Sequence, residues 1–247
     1  MDKLEQKATV NSKDNKKKVV KTLVAVIGVL AVAAIGVACY LVFFKDKTIS
    51  IKDSDVEAVL TTDYLKETYD KAKKGMEDIK NDPERVQNYF IAGMEWKTLG
   101  DLTNKETFYK KSLEIYERAV AKTGGKNTIA LINAASVNIL LKNFSAAEKY
   151  LKDAIVVSPG DIDLYTRLLE LYKYYIKKDV ATIAQVYDDA MKRVLDPWSL
   201  LRDRAAYYYE LGKFEESLAD YERLKEKFPD VSVFKDRVEE LRLRMGK

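Results

Sequence analysis

The sequence predicts an all-α protein: a helical solenoid of about four repeats preceded by one membrane-spanning helix. Three observations predict it. Tyr116, Leu151, Tyr187 and Tyr221 are each followed three residues later by Ala119, Ala154, Ala190 and Leu224, which recur 35, 36 and 34 residues apart. A fixed period of this size marks stacked supersecondary units rather than a closed core. Gly (10) and Pro (4) are scarce among the 247 residues, and no stretch of comparable length alternates apolar and polar positions as a strand does. Finally, Thr22 to Phe44 is an uncharged apolar run of 23 residues.

Residues 1–21 form a polar, Lys-rich tail that lacks the apolar residues needed to fold alone. Residues 22–44, TLVAVIGVLAVAAIGVACYLVFF, would span about 34 Å as a helix, enough for a hydrocarbon core of about 30 Å. Seven Lys precede this run, and Lys45, Lys47 and Lys52 follow it within a comparable distance. That excess places the N-terminus in the cytoplasm and the rest of the chain on the extracytoplasmic side of a cell membrane. A cleaved signal peptide fits less well, because cutting after Ala31-Val32-Ala33 would leave AIGVACYLVFF at the new terminus. An acylated Cys39 also fits poorly: Gly36 stands where a lipobox has Leu, and YLVFF follows. Cys39 reads as a small apolar residue of the span.

Residues 45–54 read as a linker and 55–92 as an N-terminal helical region or degenerate repeat. Ser54 with Glu57 has capping-box spacing, and a further helix is expected from Asp63 to about Lys80, with Pro83 opening the next. From there helices alternate with short turns. Thr103 with Glu106 has capping-box spacing again, Gly124-Gly125 ends a helix, and Asn127, Asn143, Asp161 and Asp179 are candidate N-caps. Pro159, Pro197 and Pro229 fall near repeat ends. Phe234, Val238, Leu241 and Met245 form an i, i+4, i+7, i+11 stripe, so residues 231–247 read as a capping helix over the last repeat.

Charge and composition narrow the function. The net charge is +4, and residues 1–44 carry all of it; the remainder holds 36 basic and 36 acidic residues. A balanced repeat region lacks the basic field that nucleic-acid binding needs. With one Cys and no His, there is no intrachain disulfide, no ordinary zinc ligand set and no histidine general base. No metal, cofactor or catalytic group is expected. Asp188 and Asp189 are the carboxylates considered for catalysis, and their spacing suits a solvated helix face.

The repeats resemble the tetratricopeptide repeat (TPR) family over about residues 93–230. A first unit from Gly93 has Trp96, Leu99, Gly100, Tyr109, Tyr116 and Ala119. A second from Thr128 has Ala135, Phe144, Ala147, Leu151, Ala154 and Pro159. A third from Ile162 has Tyr165, Leu168 and Tyr172, then fits Tyr187 and Ala190 only after two inserted residues near Lys177–Lys178. A fourth from Trp198 has Tyr208, Gly212, Phe214, Tyr221 and Pro229.

The resemblance implies a concave groove lined by the first helix of each unit, holding a protein or peptide partner. By position, its lining would be Lys97, Asp101, Asn133, Ser136, Arg167, Glu170, Tyr174, Arg202 and Tyr209. Lys97, Asn133 and Arg167 match three of five positions with which some relatives grip a chaperone's terminal carboxylate. Asp101 and Asp163 replace Asn and Lys at the other two, and acids there repel a carboxylate. The implied role is a membrane-anchored interaction scaffold or adaptor. The alternative, by analogy of architecture, is an ancillary subunit or chaperone of the bacterial Sec translocon. A homo-oligomer is compatible with either.

Overall fold

The computed structural model describes residues 49, 51 and 56–247. The Lys-rich tail, the apolar run 22–44 and the box starting at Ser54 lie outside them. Among the described residues no helix is long and apolar enough to cross a membrane. The chain divides into two units, Met1–Ser50 and Ile51–Lys247, and every described helix belongs to the second.

Among the described residues ten α-helices follow one another: α1 (Asp63–Asn81), α2 (Val86–Thr103), α3 (Glu106–Lys122), α4 (Thr128–Leu140), α5 (Phe144–Val157), α6 (Ile162–Glu170), α7 (Val180–Met191), α8 (Trp198–Glu210), α9 (Phe214–Lys227) and α10 (Ser232–Arg244). A π-helical segment, Leu171–Ile176, prolongs α6. The helices pair as α2/α3, α4/α5, α6/α7 and α8/α9, with α1 before and α10 after. No pair is thick enough to bury its own apolar face, so stacking creates the core. One cluster joins Ala135, Leu151, Leu168, Leu171 and Tyr187 across successive pairs. A second joins Ala72, Ile79, Ala92, Trp96, Phe108 and Ile115. Burying each large apolar side chain contributes about 1.5–3 kcal/mol.

Caps set the helix starts. Asn127 accepts from Ala130 N, Asp161 from Asp163 N and Asp179 from Thr182 N. Thr62 does the same for α1, accepting from Leu65 N at 3.2 Å. The buried Asn88 side chain donates to the carbonyls of Asp78 (2.9 Å) and Asp82 (3.3 Å), closing the end of α1. Two expected starts fall elsewhere. Thr103 is the last residue of α2 and its hydroxyl donates back to Leu99 O, while α3 starts after Lys105 with no side-chain cap. The chain reverses there through a left-handed Asn104 (φ 52°), which leaves no capping-box geometry. Pro83 sits in a turn, and α2 begins at Val86.

The first pair is longer than the others: α2 and α3 have 18 and 17 residues, against 13 and 14 in α4 and α5. Two contacts fix its register. Ser217 donates to Ala205 O in the fourth pair (2.8 Å), and the counterpart in the first is Ser112 to Gly93 O (2.7 Å). Tyr165 donates to the carbonyl of Pro159, six residues back (2.8 Å); the counterpart is Tyr89 to Pro83 O (3.1 Å). Tyr89 and Gly93, not Trp96 and Gly100, therefore occupy the places that Tyr165 and Ala205 hold later. The expected start at Gly93 is displaced by seven residues. Trp96 and Gly100 belong to the extra turns of an elongated hairpin.

Glycine is needed where helices come closest. A Cβ on Gly93 would lie 2.5 Å from the Tyr116 ring, and one on Gly75 would lie 2.9 Å from Ala92 Cα. Helix α10 covers the open end: Phe234 meets Tyr221 and Phe228 at ring separations of 6.4 and 6.2 Å, and Val238 and Leu241 are buried.

Candidate functional site: the face lined by α2, α4, α6 and α8

Of the charged residues expected in the groove, Lys97, Asp101, Arg167 and Arg202 are held in ion pairs on their own helices. Lys97 pairs with Asp101 at 2.6 Å. Tyr109 also donates to Asp101 at 3.0 Å, and burial together with that carboxylate pushes the Tyr109 phenol up to about 12. Arg167 pairs with Asp163 at 2.6 Å, and Arg202 with its neighbour Asp203 at 3.1 Å. Ser136 donates to Ile132 O within its own helix, at 2.9 Å, and Asn133 is half-buried on α4. Lys97 and Arg167 each point to an acid one turn along their own helix, so they do not converge on a common anion.

Tyr209 packs on the capping helix. Its hydroxyl donates to Glu240, and the guanidinium groups of Arg237 and Arg244 lie 5.1 and 5.3 Å from its ring. The hydrogen bond, then burial, raise its phenol above the usual range. Tyr209 therefore seals the joint between α8 and α10. Asp188 likewise has a structural partner. Arg204 reaches it, and holds Asp220 through paired bonds of 2.7 Å. Burial works against the guanidinium charge, but those carboxylates outweigh it and lift its pKa further.

The structure gathers a different set of residues. Between α6 and α8 lies an open recess of about 280 Å³. Glu170 and Tyr174, both expected in the groove, line it. Lys173, Tyr187, Asp203, Tyr207 and Glu210 join them. The π segment builds this place. The two extra residues seen in the sequence enter as an extended first helix that runs to Ile176 and ends on a left-handed Lys177 (φ 56°). The wider π turn aims Lys173 and Tyr174 towards α8, and a π turn is often found at functional sites. Tyr174 stays 67% exposed. Nearer the N-terminus, Ile91, Met94 and Ile129 on α2 and α4 are also exposed. Position matching missed Lys173, Tyr207 and Glu210; the signal that marks them is the length irregularity of the third unit.

Antiparallel helix pairs stacked at this period define a TPR-like helical repeat protein. No protein-family model matches the sequence, and a comparison with curated proteins finds no match. Solved structures do share its architecture. The crystal structure of MamA is similar with a TM-score of 0.50 at 16% identity, covering 65% of this chain and 88% of that one. YrrB, described as a TPR protein with an unusual peptide-binding site, has a TM-score of 0.46 at 14% identity, covering 73% and 88%. TTC0263, a thermophilic TPR protein of Thermus thermophilus, has 0.43 at 16%, covering 77% and 98%. At these identities the likeness is one of fold.

Proposed function

We propose that this protein is a membrane-anchored interaction scaffold that holds a polypeptide against the face formed by α2, α4, α6 and α8. The observation that carries this reading is the recess beside Tyr174. It is open, its walls mix aromatic rings with charge, and it sits on the first-helix side of the array. A recess of about 280 Å³ falls just under the ~300 Å³ at which small-molecule sites begin. It suits one side chain of a longer ligand better than a free cofactor. Exposed Ile91, Met94 and Ile129 supply apolar contact on α2 and α4, and aromatic anchors such as Tyr174 carry a large share of binding energy at protein interfaces.

The anchor in this proposal is the run 22–44, with Lys placement setting the repeats outside the cytoplasm. Photocrosslinking groups at Tyr174 and Tyr207 in cells are expected to capture a protein partner, with groups on the opposite side, at Lys149 and Arg223, capturing none. Capture only from Lys149 and Arg223 would refute the groove. Protease added to spheroplasts should digest the C-terminal region while leaving the tail intact; protection of that region would refute the sidedness alone.

A further inference from the structure

We propose that the recess between α6 and α8 receives a cationic side chain, Lys or Arg, of the bound polypeptide, and that Lys173 fills this place while the groove is empty. The inference rests on the groove reading above. Its basis is where the Lys173 ammonium already lies. Nζ is 5.7 Å from the Tyr174 ring centroid, 5.6 Å from Tyr187 and 5.5 Å from Tyr207, and it donates to the Tyr187 hydroxyl at 3.1 Å. Those distances lie within the roughly 6 Å over which an aromatic face attracts a cation. The three rings come from three separate elements, the π segment, α7 and α8, so the cage exists only in the folded array.

Charge selects the occupant. Glu170, Asp203 and Glu210 line the same recess, and among the described residues Lys173 is its one basic lining residue. Asp203 is engaged by Arg202. Among the described residues, Glu170 and Glu210 take part in no ion pair, and neither does Lys173. The ammonium is thus held by rings and a hydroxyl while two carboxylates at the rim face solvent. A second cation arriving from solution meets those carboxylates and the exposed ring of Tyr174. An acidic side chain meets repulsion from Glu170 and Glu210. Lys173 sits on a flexible four-carbon stem, so it can swing out as the incoming cation takes over the rings.

The test uses the full chain in detergent micelles and fluorescein-labelled peptides Gly-Ser-Gly-Leu-X-Leu-Gly-Ser-Gly, with X as Lys, Arg, Gln or Glu. Anisotropy should show the Lys and Arg probes binding about tenfold tighter than the Glu probe at low salt, with the gap narrowing as salt rises. The pair Glu170→Gln and Glu210→Gln should close the gap. A control pair on α9, Glu215→Gln and Glu226→Gln, should leave it. Lys173→Met should tighten the Lys probe several-fold, because it removes the resident ammonium from the rings and with it a like charge. Helical circular dichroism confirms that each variant folds. Equal or tighter binding of the Glu probe, closure of the gap by the control pair, or weaker Lys binding in Lys173→Met would overturn the inference and leave groove binding standing. No binding by any probe, in either the wild type or Lys173→Met, would overturn it too; the groove reading would then fall only if crosslinks from Tyr174 and Tyr207 were also absent.

Discussion

Gly93 shows how a single side chain sets the spacing of two helices. Replacing it with Ala would raise helix propensity by up to about 1 kcal/mol. The new Cβ, however, would lie 2.5 Å from a Tyr116 ring that is itself buried. Overpacking of this kind costs about 1–3 kcal/mol, so Gly93→Ala is expected to lower the urea midpoint in spite of its better propensity. Arg204 shows a different balance. It is a largely buried cation, held between Asp188 and an Asp220 side chain that is 5% exposed. Arg204→Leu alone leaves the buried Asp220 carboxylate with only the exposed Arg223, 3.7 Å away, and should cost about 3–5 kcal/mol. Adding Asp220→Leu should recover most of the loss. If denaturation shows the double variant to be no more stable than the single one, the penalty does not come from an unpaired charge.

At the scale of elements, the joint between α5 and the π segment is an electrostatic one. Glu148 on α5 accepts from Tyr172 at 2.8 Å and from Lys152 at 2.6 Å, with Lys178 at 3.7 Å. Burial opposes its ionisation, but these donors and charges outweigh burial and hold the carboxyl below its usual range. The sign follows from that depression. The stabilisation is complete above the pKa of an unfolded Glu, near 4.3, and is lost as pH falls through the lower folded value. Glu148→Gln should therefore lower the melting temperature at pH 7, by about 1 kcal/mol of stability for the hydrogen bonds weakened. The difference from wild type should shrink below about pH 4. A difference that stays constant from pH 7 to pH 3 would rule out this role. The π segment itself can be tested by deleting Lys177 and Lys178. Restoring the regular unit length should move Tyr174 away from α8, and crosslinking from that position should be lost while Tyr209 remains packed on Glu240.

For the whole molecule, stability depends on covered ends, because each pair relies on its neighbours for burial. Helix α10 shields Tyr221 and Leu224 and receives the Tyr209 hydroxyl through Glu240. Truncation after Asp230 would expose an apolar face with no further pair to cover it. The truncated chain is expected to self-associate in size-exclusion chromatography and to unfold at lower denaturant, starting from α8/α9. Unchanged elution and stability would mean that the array does not need this cap. At the other end, α1 has the corresponding place, drawn tightly onto α2 by Gly75 against Ala92.

The repeat architecture is written in the chain alone, because helical periodicity and a 34 to 36 residue recurrence are local properties. Helix starts at Asn127, Asp161 and Asp179 were readable for the same reason: a cap bonds within three residues of itself. The register of the first pair was not readable. Trp96, Leu99 and Gly100 resemble the expected trio, and only the cross-helix bond from Ser112 and the bond from Tyr89 to the turn before its helix show that the true seat is Gly93. The groove was legible as a list of positions but not as a site. Whether Arg167 faces a ligand or its own Asp163, and whether Tyr209 faces the groove or α10, depends on neighbours distant in sequence or on rotamers set by packing. The recess around Lys173 is the clearest case. Its rings come from three elements, and a widened helical turn brings them together, so it arises only when those elements are packed.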